Sequence, residues 1–113
     1  MAKSSKSREL SDEAMELIAR RFKALSEASR LKLIHALKGG ELSVTELVEA
    51  TGLTQANASR HLQVLVDAGI LKRRKDGLSV RYAIADRGIF NLCESVCGSV
   101  QRRFAEHAGA FGG

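Results

Sequence analysis

No hydrophobic run in the chain approaches the ~18 residues that a membrane span needs, and its polar opening, MAKSSKSREL, has no apolar core of the kind a secretory signal carries. A cytoplasmic protein that avoids membranes is therefore expected. Only two cysteines are present, Cys93 and Cys97. A disulfide-stapled secreted domain needs several pairs at wider spacing, so both are expected to rest as thiols. Aromatic residues make up 4% of the sequence, and Tyr82 is the sole aromatic of its basic segment, so single-stranded nucleic acid finds no stacking platform. Also missing are a set of nucleophile, base and oxyanion donors, a phosphate-binding loop and a complete metal cluster. An enzyme is not expected.

What remains is a cationic chain of ordinary globular make-up. Its 113 residues suit one domain, and 44% hydrophobic with 27% charged residues argues against wholesale disorder. A formal charge of +5 points to a polyanionic partner if the cations prove to be clustered. Residues 1–10 place Lys3, Lys6 and Arg8 among serines and read as a flexible basic arm. The small-residue end, 108–113, reads as a flexible tail, leaving 11–107 as the folded domain.

Within that domain the apolar spacing predicts helices. Met15, Ile18, Phe22 and Leu25 recur at intervals of three and four, and Leu31, Ile34 and Leu37 repeat the stripe until Gly39 and Gly40 stop it. Ser43-Val44-Thr45-Glu46 is a capping box that opens a short third helix on Val44, Leu47 and Val48. Gly52 ends it, and Thr54 caps a fourth helix with the stripe Ala58, Leu62 and Leu65, closed by Gly69. Two helices meeting across a turn of about four residues with a glycine form a helix-turn-helix. Asp76-Gly77 then marks a hairpin between 70–75 and 78–84, a two-stranded ribbon with a cationic tip. Asp86 caps a last helix to about His107.

Projected at 100° per residue, the fourth helix turns Ala58, Leu62 and Leu65 inward and leaves Arg60 and Gln63 opposite, with Asn57 and Ser59 on the flanks and Gln55 at the amino end. Amides and a guanidinium suit base edges in the major groove, while Thr54 and Ser59 suit phosphates. Lys72, Arg73, Arg74 and Lys75 are consecutive, so they alternate between ribbon faces and cannot all be buried; Arg81 adds a cation on the second strand. Duplex DNA is the expected target, with Thr54, Gln55, Asn57, Ser59, Arg60, Gln63, Arg73, Arg74, Lys75 and Arg81 as contact residues. The competing reading is a protein-interaction module whose basic ribbon docks an acidic partner.

The stretch FKALSEASRLKLIHALKGGELSVTELVEATGLTQANASRHLQVLVDAGILKRRKDGLSVRYAIAD, from Phe22 to Asp86, resembles the ArsR/SmtB family of winged-helix repressors. TQANASRHLQVLVDAGIL looks like the family's recognition helix running into its wing. The resemblance implies a mainly α fold with a β-hairpin, a winged helix-turn-helix with extra N- and C-terminal dimerisation helices. It also implies a homodimer on a partly palindromic operator, released by an inducer, and adds His61 to the recognition-helix positions Gln55, Asn57, Ser59 and Arg60. Ala28 stands where the family usually has proline, without preventing a helix start.

Two ligand sets familiar in that family are absent. Where many members carry ELCVCDL, this chain has ELSVTEL, with the hydroxyls of Ser43 and Thr45 in place of thiolates. Where others open the last helix with Asp-x-His, Gly88 follows Asp86, and Ser99 and Arg102 stand near the later ligand positions. The last helix instead has Phe90, Cys93, Cys97, Val100 and Phe104 in one seam. Two readings of its thiols stand open. They pack as small hydrophobes, or they sense an inducer by capturing arsenite or another thiophilic ion, or by redox chemistry. An intrahelical disulfide needs Cβ atoms closer than the ~5–6 Å of an i, i+4 pair.

Overall fold

The computed structural model describes residues 9–110, with side chains through His107. Residues 1–8 and 111–113, most of the expected arm and half of the expected tail, lie outside the described residues. Helix α1 spans Asp12–Leu25, α2 Ala28–Ala36, α3 Val44–Thr51, α4 Gln55–Asp67 and α5 Arg87–Ala110. Strands β1 (Leu42–Ser43), β2 (Leu71–Asp76) and β3 (Ser79–Ile84) form one antiparallel sheet in the order β1-β3-β2.

Short polar side chains set the starts of the helices. The Ser11 hydroxyl accepts from the Ala14 amide at 3.1 Å, and Thr54 Oγ1 accepts from the Asn57 amide at 3.1 Å. The capping box is complete: Ser43 Oγ accepts from the Glu46 amide at 3.2 Å while Glu46 Oε1 accepts from the Ser43 amide at 2.8 Å. Asp86 Oδ1 accepts from the Ile89 amide at 3.1 Å and so opens α5, which continues through Ala110, three residues past the expected end.

Leu33, Ile34 and Leu37 meet Leu47, Leu62, Leu65, Ile70 and Leu71 in one core without solvent access beyond a trace. Cutting Leu62 back to alanine would cost ~2–5 kcal/mol by lost transfer energy and the cavity left behind. The expected α2 stripe needs one correction: Leu31 faces solvent and Leu33 takes its place inside.

Two corrections concern the wing. The ribbon has a third member, because β1 pairs with β3 in the register Leu42↔Tyr82 and Ser43↔Arg81. The turn is also displaced by one residue: Asp76 pairs with Ser79, so the two loop residues are Gly77 and Leu78. Gly77 has φ +64° and Leu78 does not have positive φ, the pattern of a II′ hairpin turn with glycine first. At the other end of the sheet, Gly69 closes α4 with φ +76°, and a Cβ there would lie 3.1 Å from Arg21 Nη2. That arginine passes Gly69 to reach Asp86, donating from Nη1 to Oδ2 at 2.7 Å, and so ties α1 to the start of α5.

Candidate nucleic-acid interface

The amino-terminal half of α4 presents the chemistry expected of it. Thr54, Gln55, Asn57, Ser59, Arg60 and Gln63 are all exposed. Arg60 is held along the helix by a hydrogen bond from Nη2 to Asn57 Oδ1 at 3.2 Å. Farther on, Gln63 Nε2 donates to Asp67 Oδ1 at 2.8 Å, and Gln63 Oε1 accepts from Arg73 Nη1 at 3.4 Å. That last contact joins the wing to α4, so the two cationic elements form one surface.

His61 does not belong to this surface. With 3% exposure it sits in the core beside Ala58, Leu62 and Leu65, at a position where the amphipathic repeat i, i+3, i+4, i+7 from Ala58 would put an inward residue. Arg30 Nη1 approaches its Nδ1 at 3.3 Å. Arginine can only donate, so Nδ1 accepts and the proton of the neutral ring is on Nε2, 4.0 Å from Glu27 Oε1. Burial, followed by the charge of Arg60, pushes the His61 pKa below its ordinary value, against the pull of Glu27. The ring is neutral and supports packing, and its burial removes it from direct base or phosphate contact.

Arg30 is the buried cation that sequence reasoning missed. Its residue exposure is 9%. Nε donates to Ala24 O at 2.6 Å and Nη2 to Lys23 O at 3.5 Å, so the side chain satisfies carbonyls of the last turn of α1 while it supports α4 through His61. Its position in SEASR, after the helix start, was the available signal; its partners, six and 31 residues away, were not predictable from spacing.

The wing cations divide by strand alternation. Leu71, Arg73 and Lys75 share one face, opposite Ile84, Tyr82 and Val80, and Arg73 on that face reaches α4. Lys72 and Arg74 point to the other face, where Arg74 lies directly across from Arg81. Glu41 joins that pair. Its Oε2 accepts from Arg74 Nε at 3.1 Å, and its Oε1 accepts from Arg74 Nη2 at 2.5 Å and from Arg81 Nε at 3.2 Å. Arg81, half-buried, also pairs with Glu46 at 3.5 Å. The sequence reading overlooked Glu41 because it acts across 33 and 40 residues.

Cys93 is half-buried and Cys97 exposed, and both are free thiols. Burial first, then Cys97 and Glu94, push the Cys93 thiol above its ordinary pKa. It therefore rests protonated, and a soft ion must displace the proton to bind. Among the described residues no group of three or more His, Cys, Asp or Glu side chains is placed to hold a metal ion. Of the expected seam, Phe90 is buried in the chain's own core, while Val100 and Phe104 are exposed, Phe104 to 70%, as are Leu92 and Val96 beside them on α5 and Met15, Ile18 and Phe22 on α1. No helix of the described residues is long and apolar enough to cross a membrane.

A helix-turn-helix (α3 and α4) followed directly by a β-hairpin on a three-helix support defines a winged helix-turn-helix domain. Residues 27–73 match the model of the bacterial regulatory protein arsR family. The chain is similar to a probable mercury resistance operon repressor of Streptomyces lividans, 40% identical over 66% of this chain, and spans 59% of that protein's length. It is 30% identical to the homodimeric winged helix-turn-helix domain Mb0332 of Mycobacterium bovis, described as a possible ArsR-family regulator, with a TM-score of 0.73 over 88% of this chain and 94% of that one. The AntR antimony-specific transcriptional repressor is also 30% identical, with a TM-score of 0.76 over 90% of this chain and 94% of that one. The chain belongs to the arsR family of bacterial regulatory proteins. The reading of the basic hairpin as a dock for an acidic protein has no support.

Proposed function

We propose that the chain is a cytoplasmic, non-enzymatic repressor that binds a partly palindromic operator as a homodimer, and that a soft metal ion, metalloid or thiol-reactive species acting at Cys93 and Cys97 releases it. The observation that carries DNA reading is the single surface made by Gln55, Asn57, Ser59 and Arg60 on α4 and Arg73 and Lys75 on the wing, joined through Gln63. Dimerisation is supported by the exposed apolar faces of α1 and α5, which water solvates poorly. A dimer would set two recognition helices at the half-site spacing of about one DNA turn.

The names of the mercury and antimony repressors support an inducer of the same soft class. Two sulfurs on one helix face make two of the donors that arsenite or a related ion takes, and the third would come from the partner subunit. Because the seam carrying the thiols is also the apolar face of α5, an ion bound there strains the dimer contact and the separation of the recognition helices. The test titrates the operator complex with arsenite, zinc, a persulfide donor and peroxide, comparing the native chain with Cys93→Ser and Cys97→Ser. Release by arsenite in the native chain alone is the expected result; unchanged responses in both variants would leave the thiols as packing.

A further inference from the structure

Arg74 and Arg81 form the one cross-strand pair of like charges in the β2/β3 register, and like charges directly opposite each other destabilise a sheet. Glu41 immediately precedes β1, the short strand that pairs with β3 beside Arg81. Its carboxylate takes Nε and Nη2 of Arg74 together, at 3.1 and 2.5 Å, the two-pronged contact that a phosphate would otherwise occupy. The same carboxylate accepts from Arg81, whose other arm meets Glu46. Two guanidiniums thus face two carboxylates, and this four-residue cluster carries no net charge. The hydrogen bonds from Arg74 hold the Glu41 carboxyl below its usual pKa, so the clamp is ionised at neutral pH.

We propose, resting on the DNA-binding reading above, that Glu41 is a specificity-determining residue: its carboxylate occupies Arg74 and Arg81, keeps them from duplex phosphates, and leaves backbone contact to Lys72, Arg73 and Lys75. Sequence-independent affinity grows with the number of phosphates neutralised. Withholding two cations lowers binding to random duplex while the base-reading groups of α4 are unaffected, and the ratio of specific to non-specific affinity rises. In this role β1 is the tether that delivers Glu41 to the wing.

The test measures binding of the full chain to its operator and to a random duplex of equal length by fluorescence anisotropy between 50 and 200 mM salt. The variants are Glu41→Gln, Arg74→Ala, the double variant, and Glu13→Gln on α1 as a control for removing one negative charge; thermal melts confirm that each is folded. Glu41→Gln should steepen the salt dependence by about 0.9 for each guanidinium that takes a phosphate, an extra loss of about 3.5-fold in affinity over that salt range per contact. Its specificity ratio should fall, Glu13→Gln should match the native chain, Arg74→Ala alone should leave the slope unchanged, and adding it to Glu41→Gln should cancel most of the gain. A shallower slope for Arg74→Ala alone would overturn the inference, because Arg74 would already be on phosphate. So would a slope for Glu41→Gln equal to that of Glu13→Gln, or weaker binding of both duplexes by Glu41→Gln. Absence of salt-sensitive binding to either duplex by the native chain would instead overturn the DNA-binding reading and this inference with it.

Discussion

Replacing Arg30 with methionine tests how α4 is supported. Methionine keeps most of the volume and an apolar stem, so the change isolates the guanidinium's bonds better than truncation to alanine. The short bond to Ala24 O, 2.6 Å from a charged donor, contributes about 2 kcal/mol; the 3.5 Å approach to Lys23 O adds little. His61 Nδ1, buried and 3.3 Å from Arg30, is left without a donor at a cost of about 1–2 kcal/mol. Relief from holding a charge in the interior offsets part of this. The net expectation is a loss of about 3 kcal/mol. Urea unfolding at matched protein concentration is the suitable assay, since the stability of a dimer depends on concentration. Because Arg30 joins the end of α1 to α4, operator affinity should fall as well, even though the residue is away from the reading surface. A loss below about 1 kcal/mol would refute the reasoning and mean that the carbonyl and the imidazole find other partners.

Arg60→Ala should weaken operator binding by about 1–3 kcal/mol and random duplex much less, and equal losses on both would remove it from base reading. Arg73→Ala should lower the salt slope by about 0.9 on any duplex, and an unchanged slope would take Arg73 off the phosphate backbone. Acid should destabilise the fold through His61. Its folded pKa lies below the unfolded value, so the unfolded chain takes up the proton first, and stability falls as pH drops below about 6.5 toward the folded pKa; a His61→Gln variant whose pH profile in this window matched the native one would contradict that. Ser43→Ala removes the side-chain half of the capping box and should cost about 1 kcal/mol in thermal or urea unfolding.

Local chemistry is what the sequence made legible. Ser43 with Glu46, Thr54, Gly52 and Asp86 announced helix boundaries because each acts within four residues of its partner. The exposed residues of α4 followed from projecting one helix. β1 was missed because two residues cannot display strand alternation, and only pairing with β3, some 40 positions away, gives Leu42 and Ser43 that role. The Asp76-Gly77 turn was misplaced by one residue because Asp76 joins the ladder opposite Ser79, which leaves Gly77 and Leu78 as the loop. His61 fits the inward repeat of α4, but the resemblance set it among the recognition-helix positions; the Arg30 bond that makes its burial tolerable comes from a different helix. Glu41 lay unmarked for the same reason: its partners come from both strands of the wing.

The sheet order leaves β2 as an outer edge, with a row of backbone groups on its far side that has no strand beside it among the described residues. A bare edge invites pairing with the same strand of another molecule, and lysine or arginine on it discourages that by repulsion. Four consecutive cations, Lys72 to Lys75, lie along this edge, so the wing proposed to meet DNA also guards the protein against aggregation. Variants that lower DNA affinity by stripping these charges would forfeit solubility in the same step, whereas tuning through Glu41 leaves the guarded edge intact.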